Sequence, residues 1–198
     1  QTGWLLLLGQ CSIKPMIFKS SFITPVRSFF GRAAFFVLAI TFLGSFVSAA
    51  EKVYEKPSTF MTRHFGAIPQ TQVITLSGTQ SKQLKSILGH KYATKKIRYW
   101  QANGKAAWIL EEKGKSEPIT TGIIVKDGKI SELKVLVYRE SHGWEVTRPF
   151  FTKQFVGSSL DGKVLNKKVD GIVGATLSVR ALKKLAAVAL YLSQETGK

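Results

Sequence analysis

Near the end of this 198-residue chain, a small-residue turn delivers a hydroxyl to the point where helical periodicity begins. The stretch reads Asp170-Gly171-Ile172-Val173-Gly174-Ala175-Thr176-Leu177-Ser178. Gly174 and Ala175 leave the Thr176 hydroxyl uncrowded. The first N–H groups of a helix have no helical partner, so a hydroxyl there can cap the helix or sit beside a bound phosphate. Residue types alone do not choose between these. Ser178 offers a second hydroxyl two residues into the helix.

A second cluster lies upstream. Glu140-Ser141-His142-Gly143-Trp144-Glu145 gathers two carboxylates, an imidazole and an indole around a glycine at a strand end. Glu140, His142 and Glu145 could supply mixed metal ligands, but no second His is near and no H-E-x-x-H spacing is present. Pairing His142 with Ser159 or Ser178 for acyl transfer would need a nucleophile elbow, and the glycine pattern is absent. Two readings remain. The loop encloses a cofactor, with Gly143 allowing close backbone approach and Trp144 offering an apolar face to a flat ring, or Trp144 is a core plug.

Asp170, Gly174, Ala175 and Thr176 resemble the D-x-x-[ST]-G-A-[TS] motif of the covalent FMN-binding domain family. That family includes the periplasmic FMN-carrying subunits of sodium-translocating and Rnf-type electron-transport complexes, and small standalone relatives. Tyr138–Val146 and Phe151–Gly157 are similar to its middle block, and the resemblance spans about Ile97 to Leu192. Val173 departs from the pattern, standing where the family has Ser or Thr. The resemblance implies that Thr176 receives FMN as a phosphoester from a separate flavin transferase. It also implies that Asp170 belongs to the pattern presented to that enzyme, and that Glu140, His142, Gly143 and Trp144 surround the ring.

These groups need elements to position them. Leu182, Leu185, Ala189 and Leu192 make a helical stripe broadened by Ala181, Ala186 and Val188, with Gly197 ending the pattern. Upstream, Ile97–Gln101, Ala106–Glu112, Ile119–Val125 and Lys129–Tyr138 read as successive strands. Asn103-Gly104 and Asp127-Gly128 are tight-turn pairs between them. In the last strand Ile130, Leu133, Val135 and Val137 form the apolar half, with Ser131 and Lys134 outward. Short turns leave no room for βαβ crossovers, and no G-x-G-x-x-G or P-loop is present. The expected fold is α+β: an antiparallel sheet packed by a long C-terminal amphipathic helix.

Other segments have smaller roles. Residues 149–156 predict a short helix with Phe150, Phe151 and Phe155 buried, and Gln154 free to bond a ligand or cap a loop. Residues 162–168 read as a basic, flexible approach to the motif. Glu51–Gln72 reads as an arm or short helix, with His64 structural. Gln80–Leu88 predicts a helix capped by Thr79 or Ser81 and ended by Gly89, with His90 suited to its negative end. The chain divides into residues 1–50, an arm and helix over 51–95, and a core over 96–198.

Residues 1–50 have the form of a targeting segment. Arg27 and Arg32 precede the apolar run Ala33–Phe46, then Val47-Ser48-Ala49-Ala50 and the charged Glu51. This describes a cleaved secretory signal or a retained anchor. Residues 1–15 precede Met16 and read as a start-site misassignment or a fragment artefact. Export implies the periplasm or the extracytoplasmic face of the inner membrane.

The net charge is +17, and residues 1–50 contribute only Lys14, Lys19, Arg27 and Arg32, leaving +13. Export argues against nucleic acid, so an acidic redox partner or an anionic membrane surface suits this charge. Cys11 is the single cysteine. Past residue 50 that excludes disulfides, Cys-held iron–sulfur clusters and c-type haem. A redox role would therefore use an organic cofactor. The reading is an exported electron-transfer module, rather than a stand-alone catalyst, carrying FMN on Thr176. Its partners are a flavin transferase and a redox donor and acceptor, as in a membrane electron-transport complex. The alternative is a binding module of the same fold without attached flavin, which Val173 favours.

Overall fold

The structure, a computed structural model, describes residues 51–197. The expectations for residues 1–50 lie outside that range. The four expected strands are present as β3 (Lys96–Ala102), β4 (Lys105–Lys113), β5 (Pro118–Lys126) and β6 (Lys129–Tyr138). Both Asn103-Gly104 and Asp127-Gly128 carry positive φ at each residue, 51° and 70° in the first and 49° and 70° in the second. These turns match the twist of the strands they join.

The arm is more structured than its sequence suggests. Lys52–Val53 (β1) pairs with β6 and Thr71–Thr75 (β2) pairs with β3, giving one antiparallel sheet ordered β1-β6-β5-β4-β3-β2. Between them runs helix α1 (Pro57–Phe65), which Pro57 begins and Gly66 ends at φ 77°. Its Phe60 and Met61 pack on Ala107, Ile124, Leu136 and Val137, covering the second face of the sheet. Phe60 is accommodated by Gly122, where an added Cβ would lie 2.8 Å from the ring. Arg63 bonds Glu55 and Glu132, and His64 sits against Glu132 and Phe60, in keeping with a structural histidine.

The other face holds the main core. Helix α2 (Gly78–Leu88) buries Leu84, Ile87 and Leu88 there. Its cap is Ser77, not Thr79 or Ser81. The Ser77 hydroxyl accepts from Gln80 N–H while the Gln80 side chain accepts from Ser77 N–H, a capping box that satisfies two otherwise orphan donors. His90 turns away from the helix end to pair with buried Glu112 at 2.9 Å. The long helix α4 (Thr176–Thr196) lies across β4, β5 and β6. Ala186–Leu190 are all buried, because α2 and a small hairpin flank the helix as well.

Strand β6 breaks strict alternation twice. Thr121 pairs with Val135 and Thr120 with Val137, so Leu136 is an extra residue; Ser131 is extra in the same way. Each bulge flips the sides that follow. Val137 consequently joins the α1 face instead of the Val135 face, and Tyr138 turns into the main core.

Packing a ring on Gly122 predicts a cost for any side chain there. Gly122→Ala should displace Phe60 and destabilise the protein by about 1–3 kcal/mol. Urea denaturation measures it, and Phe60→Leu in the same chain should recover part of the loss.

Candidate functional site

Thr176 is the first residue of α4, and the preceding turn sets its exposure. The Ala175 N–H donates to Ile172 O at 3.0 Å, closing a turn with Val173 and Gly174 at its tip. Gly174 has φ 82°, a conformation that costs glycine nothing. Val173 is 103% exposed, so the departure from the family pattern carries no packing consequence. The helix cap is Ala175, with no side-chain cap bond. Thr176 stands one position past the capping residue. The residue is exposed and its hydroxyl makes no hydrogen bond among the described residues, so it does not cap the helix.

Ser178 is in the opposite condition. It is 4% exposed and its Oγ lies 3.1 Å from the Tyr138 hydroxyl. The Tyr138 hydroxyl also lies 2.6 Å from His142 O and donates to it. One buried phenol thus ties the 142 loop to the first turn of α4, and burial raises its pKa.

Gly143 has φ 79° and faces α4. An added Cβ would sit 2.9 Å from Ala175 Cβ and 3.1 Å from the Tyr138 oxygen. The close approach that this glycine permits is to the helix start, a neighbour that residue types alone did not indicate. Glu140 reaches the other way. One carboxylate oxygen accepts the N–H groups of Lys115, Ser116 (2.8 Å) and Glu117 (3.1 Å), gathering the β4–β5 turn around it. His142 is exposed, with Nδ1 2.8 Å from Ser141 Oγ.

These segments enclose a cleft of about 570 Å³, within the size range of small-molecule and cofactor sites. Glu140, His142, Gly143, Gly174, Ala175, Thr176 and Ser178 line it, so most of the sequence-derived candidates converge. Glu145, weighed from the sequence only as a metal ligand, joins them, and so do Lys115, Ser116 and Leu177, which were not singled out from the sequence. Lys115 and Ser116 are brought in by Glu140, a contact across 24 residues that local pattern does not signal.

Two candidates lie off the cleft lining. Trp144, in the 3₁₀ turn Trp144–Thr147, is 48% exposed beside the Arg148 guanidinium, which excludes the core-plug reading. Asp170 is exposed, and its N–H donates to the Gln154 side chain at 2.8 Å. Gln154 therefore secures the loop leading to the motif. Nearby, helix α3 (Pro149–Thr152) continues into a 3₁₀ turn. Phe151 and Phe155 are buried, while Phe150 is 64% exposed, because only positions four apart share the buried side. The basic segment before the motif forms a hairpin, β7 (Leu160–Asp161) and β8 (Val164–Leu165), where the sequence suggested only a flexible approach. Among the described residues no group of three or more His, Cys, Asp or Glu could hold a metal ion.

The antiparallel α+β fold thus brings a cleft, a helix start and an exposed threonine together. Residues 114–191 match the model of the FMN-binding domain family, which supports a flavin-binding module. The match begins after β4 and ends within α4. No curated protein matches the chain.

The Glu140 contacts generate a prediction. Glu140→Ala should free the three N–H groups and cost about 1–3 kcal/mol. Residues 115–117 should then exchange amide hydrogens faster. Glu140→Gln should cost less, since an acceptor oxygen remains. Denaturation and hydrogen exchange read both effects.

Proposed function

We propose that the protein is an exported electron-transfer module carrying FMN as a phosphoester on Thr176. The observation that carries this reading is the contrast between two nearby hydroxyls. Thr176 is exposed on the cleft with its hydroxyl unpartnered among the described residues, whereas Ser178 is buried against Tyr138. The first-turn N–H groups, free of any side-chain cap, suit a phosphate, and the positive helix end favours its charge. The cleft has room for a flat ring.

Thr176 is then the substrate of a flavin transferase, not a catalyst. The new Oγ1–phosphorus bond replaces the hydroxyl O–H, whose proton passes to the transferase. The donor nucleotide's activating group departs with the electrons of its own bond to phosphorus. A bound flavin ring accepts and returns one or two electrons. The chain's residues would hold it: the first turn of α4 would take the phosphate end, while Glu140 and Tyr138 keep the two walls of the cleft in place. His142 and Trp144 stand at the rim, where a donor or acceptor would approach. A tether suits an exported protein, because dissociated cofactor would be lost. Asp170, exposed and ahead of the turn, is positioned for presentation to the transferase.

The second reading is a module of the same fold that binds without a covalent flavin. Val173, in the place of the family's Ser or Thr and fully exposed, is the observation in its favour. Intact mass after co-expression with a flavin transferase separates the two. An FMN-sized adduct supports attachment, and an unmodified chain supports the alternative.

Thr176→Val should abolish labelling while changing stability by no more than about 0.5 kcal/mol, since the hydroxyl makes no bond in the fold. Thr176→Ser should retain labelling, and Val173→Ser should leave it equal or improved. Peptide mass spectrometry checks this, and an adduct on Ser178 would defeat the assignment. In the labelled protein, Trp144→Phe should raise flavin emission by removing a nearby indole. Unchanged emission and potential would place the ring away from this rim.

A further inference from the structure

One turn beyond Thr176 a second cleft opens, about 300 Å³, between α4, the β7–β8 hairpin and the end of α2. Ile87, Leu165 and Val169 give it apolar walls, and Val164 on the hairpin is 64% exposed. Lys163, Lys167, Lys168, Arg180, Lys183 and Lys184 frame it, with no acidic residue in the lining. Lys184 pairs with Glu112 at 3.3 Å, and Lys167 Nζ donates to Val156 O at 2.9 Å. Among the described residues Lys163, Lys168, Arg180 and Lys183 have no ion pair. So many like charges repel one another in the folded state and attract an anionic counterpart.

The composition of the surface identifies which counterpart. Five of the six cations are lysines, compact charges on flexible stems, where fixed carboxylates on a protein partner would favour the planar fork of arginine. Lysine stems can lie along apolar surface while their heads reach outward. The hairpin pairs only with itself, outside the main sheet, and presents Val164 among these stems. An apolar tip ringed by lysines matches the layered chemistry of a bilayer surface, acyl boundary beneath and anionic headgroups above.

We propose that this surface docks the protein on an anionic lipid bilayer, with Val164 entering the headgroup boundary and the cations spread among the headgroups. Arg180 follows Thr176 by four residues, about 6 Å along the helix axis. Docking therefore holds the Thr176 end of α4 close to the membrane. The inference requires no cofactor, so it stands or falls separately from flavin attachment.

The test uses the full chain with Cys11→Ser and Val164→Cys, the new thiol carrying the environment-sensitive dye NBD. The probes are vesicles of phosphatidylcholine alone and of phosphatidylcholine mixed with phosphatidylglycerol. Emission should shift to the blue on the mixed vesicles only, and added salt should reverse the shift. Lys163→Glu/Lys168→Glu/Lys183→Glu should abolish it. Lys91→Glu/Lys96→Glu/Arg98→Glu, an equal charge change on another surface, should leave it. Equal loss in both triple variants would reduce the effect to net charge and overturn the proposal. Absence of any shift would overturn it too. A shift with polyglutamate and none with vesicles would assign the surface to an acidic protein instead, which also overturns it.

Discussion

The burial of α4 against the sheet is the interaction on which the rest depends. Leu182, Leu185 and Leu192 are fully buried along it. Each such side chain contributes about 1.5–3 kcal/mol. The helix is also pinned by polar contacts at both ends. Ser178 meets Tyr138, Trp108 Nε1 donates to Ser193 Oγ at 2.7 Å, and Gln80 donates to Glu195 at 2.8 Å. A slip of one residue would shift Thr176 by about 1.5 Å along the axis and rotate it by about 100°. The stripe opposes that slip, since it would put Lys183, Ala186 and Ser193, or Ala181, Lys184 and Tyr191, in the places of the three leucines.

Strand β6 determines what this helix meets. Were alternation kept beyond Leu133 and Val135, Val137 would point inward and Tyr138 outward. The bulge at Leu136 reverses them, so the phenol reaches Ser178 and His142 while Val137 goes to α1. Leu136 also receives the arm, its carbonyl accepting Tyr54 N–H at 2.8 Å. A single irregularity therefore serves both faces: it aims a core residue at the site and it anchors the N-terminal segment.

How much of this was legible follows from the range of each interaction. Hairpins at Asn103-Gly104 and Asp127-Gly128, the four central strands and α4 rest on local turn chemistry and periodicity, and all appear as read. The Ser77 capping box is also local, but it lies two residues ahead of Thr79 and four ahead of Ser81, the caps expected. Phe150 was grouped with its neighbours by type, although only Phe151 and Phe155 share a side. Other features rest on distant partners. Glu140 finding the 115–117 amides, Phe60 finding Gly122 and the arm completing both sheet edges each require the tertiary fold. The cleft candidates were legible because the family motif and middle block come together, while Lys115 and Ser116 enter only through the fold.

The helix start forgoes a stabilising device, and packing explains why. Serine, threonine or aspartate at the cap would be worth about 0.5–2 kcal/mol over alanine. Ala175, however, is 3% exposed and packed against Gly143, whose own missing Cβ already leaves no slack. A larger polar side chain at 175 would push the 142 loop away from α4 and strain the Tyr138 contacts. Smallness at 175 and 143 is thus one constraint seen from two sides. Its by-product is an uncapped helix start, with the Thr176 hydroxyl one position beyond the cap and outside the intramolecular hydrogen-bond network. A local rule is broken where the chain brings its two site segments together, as expected when a site competes with helix stability.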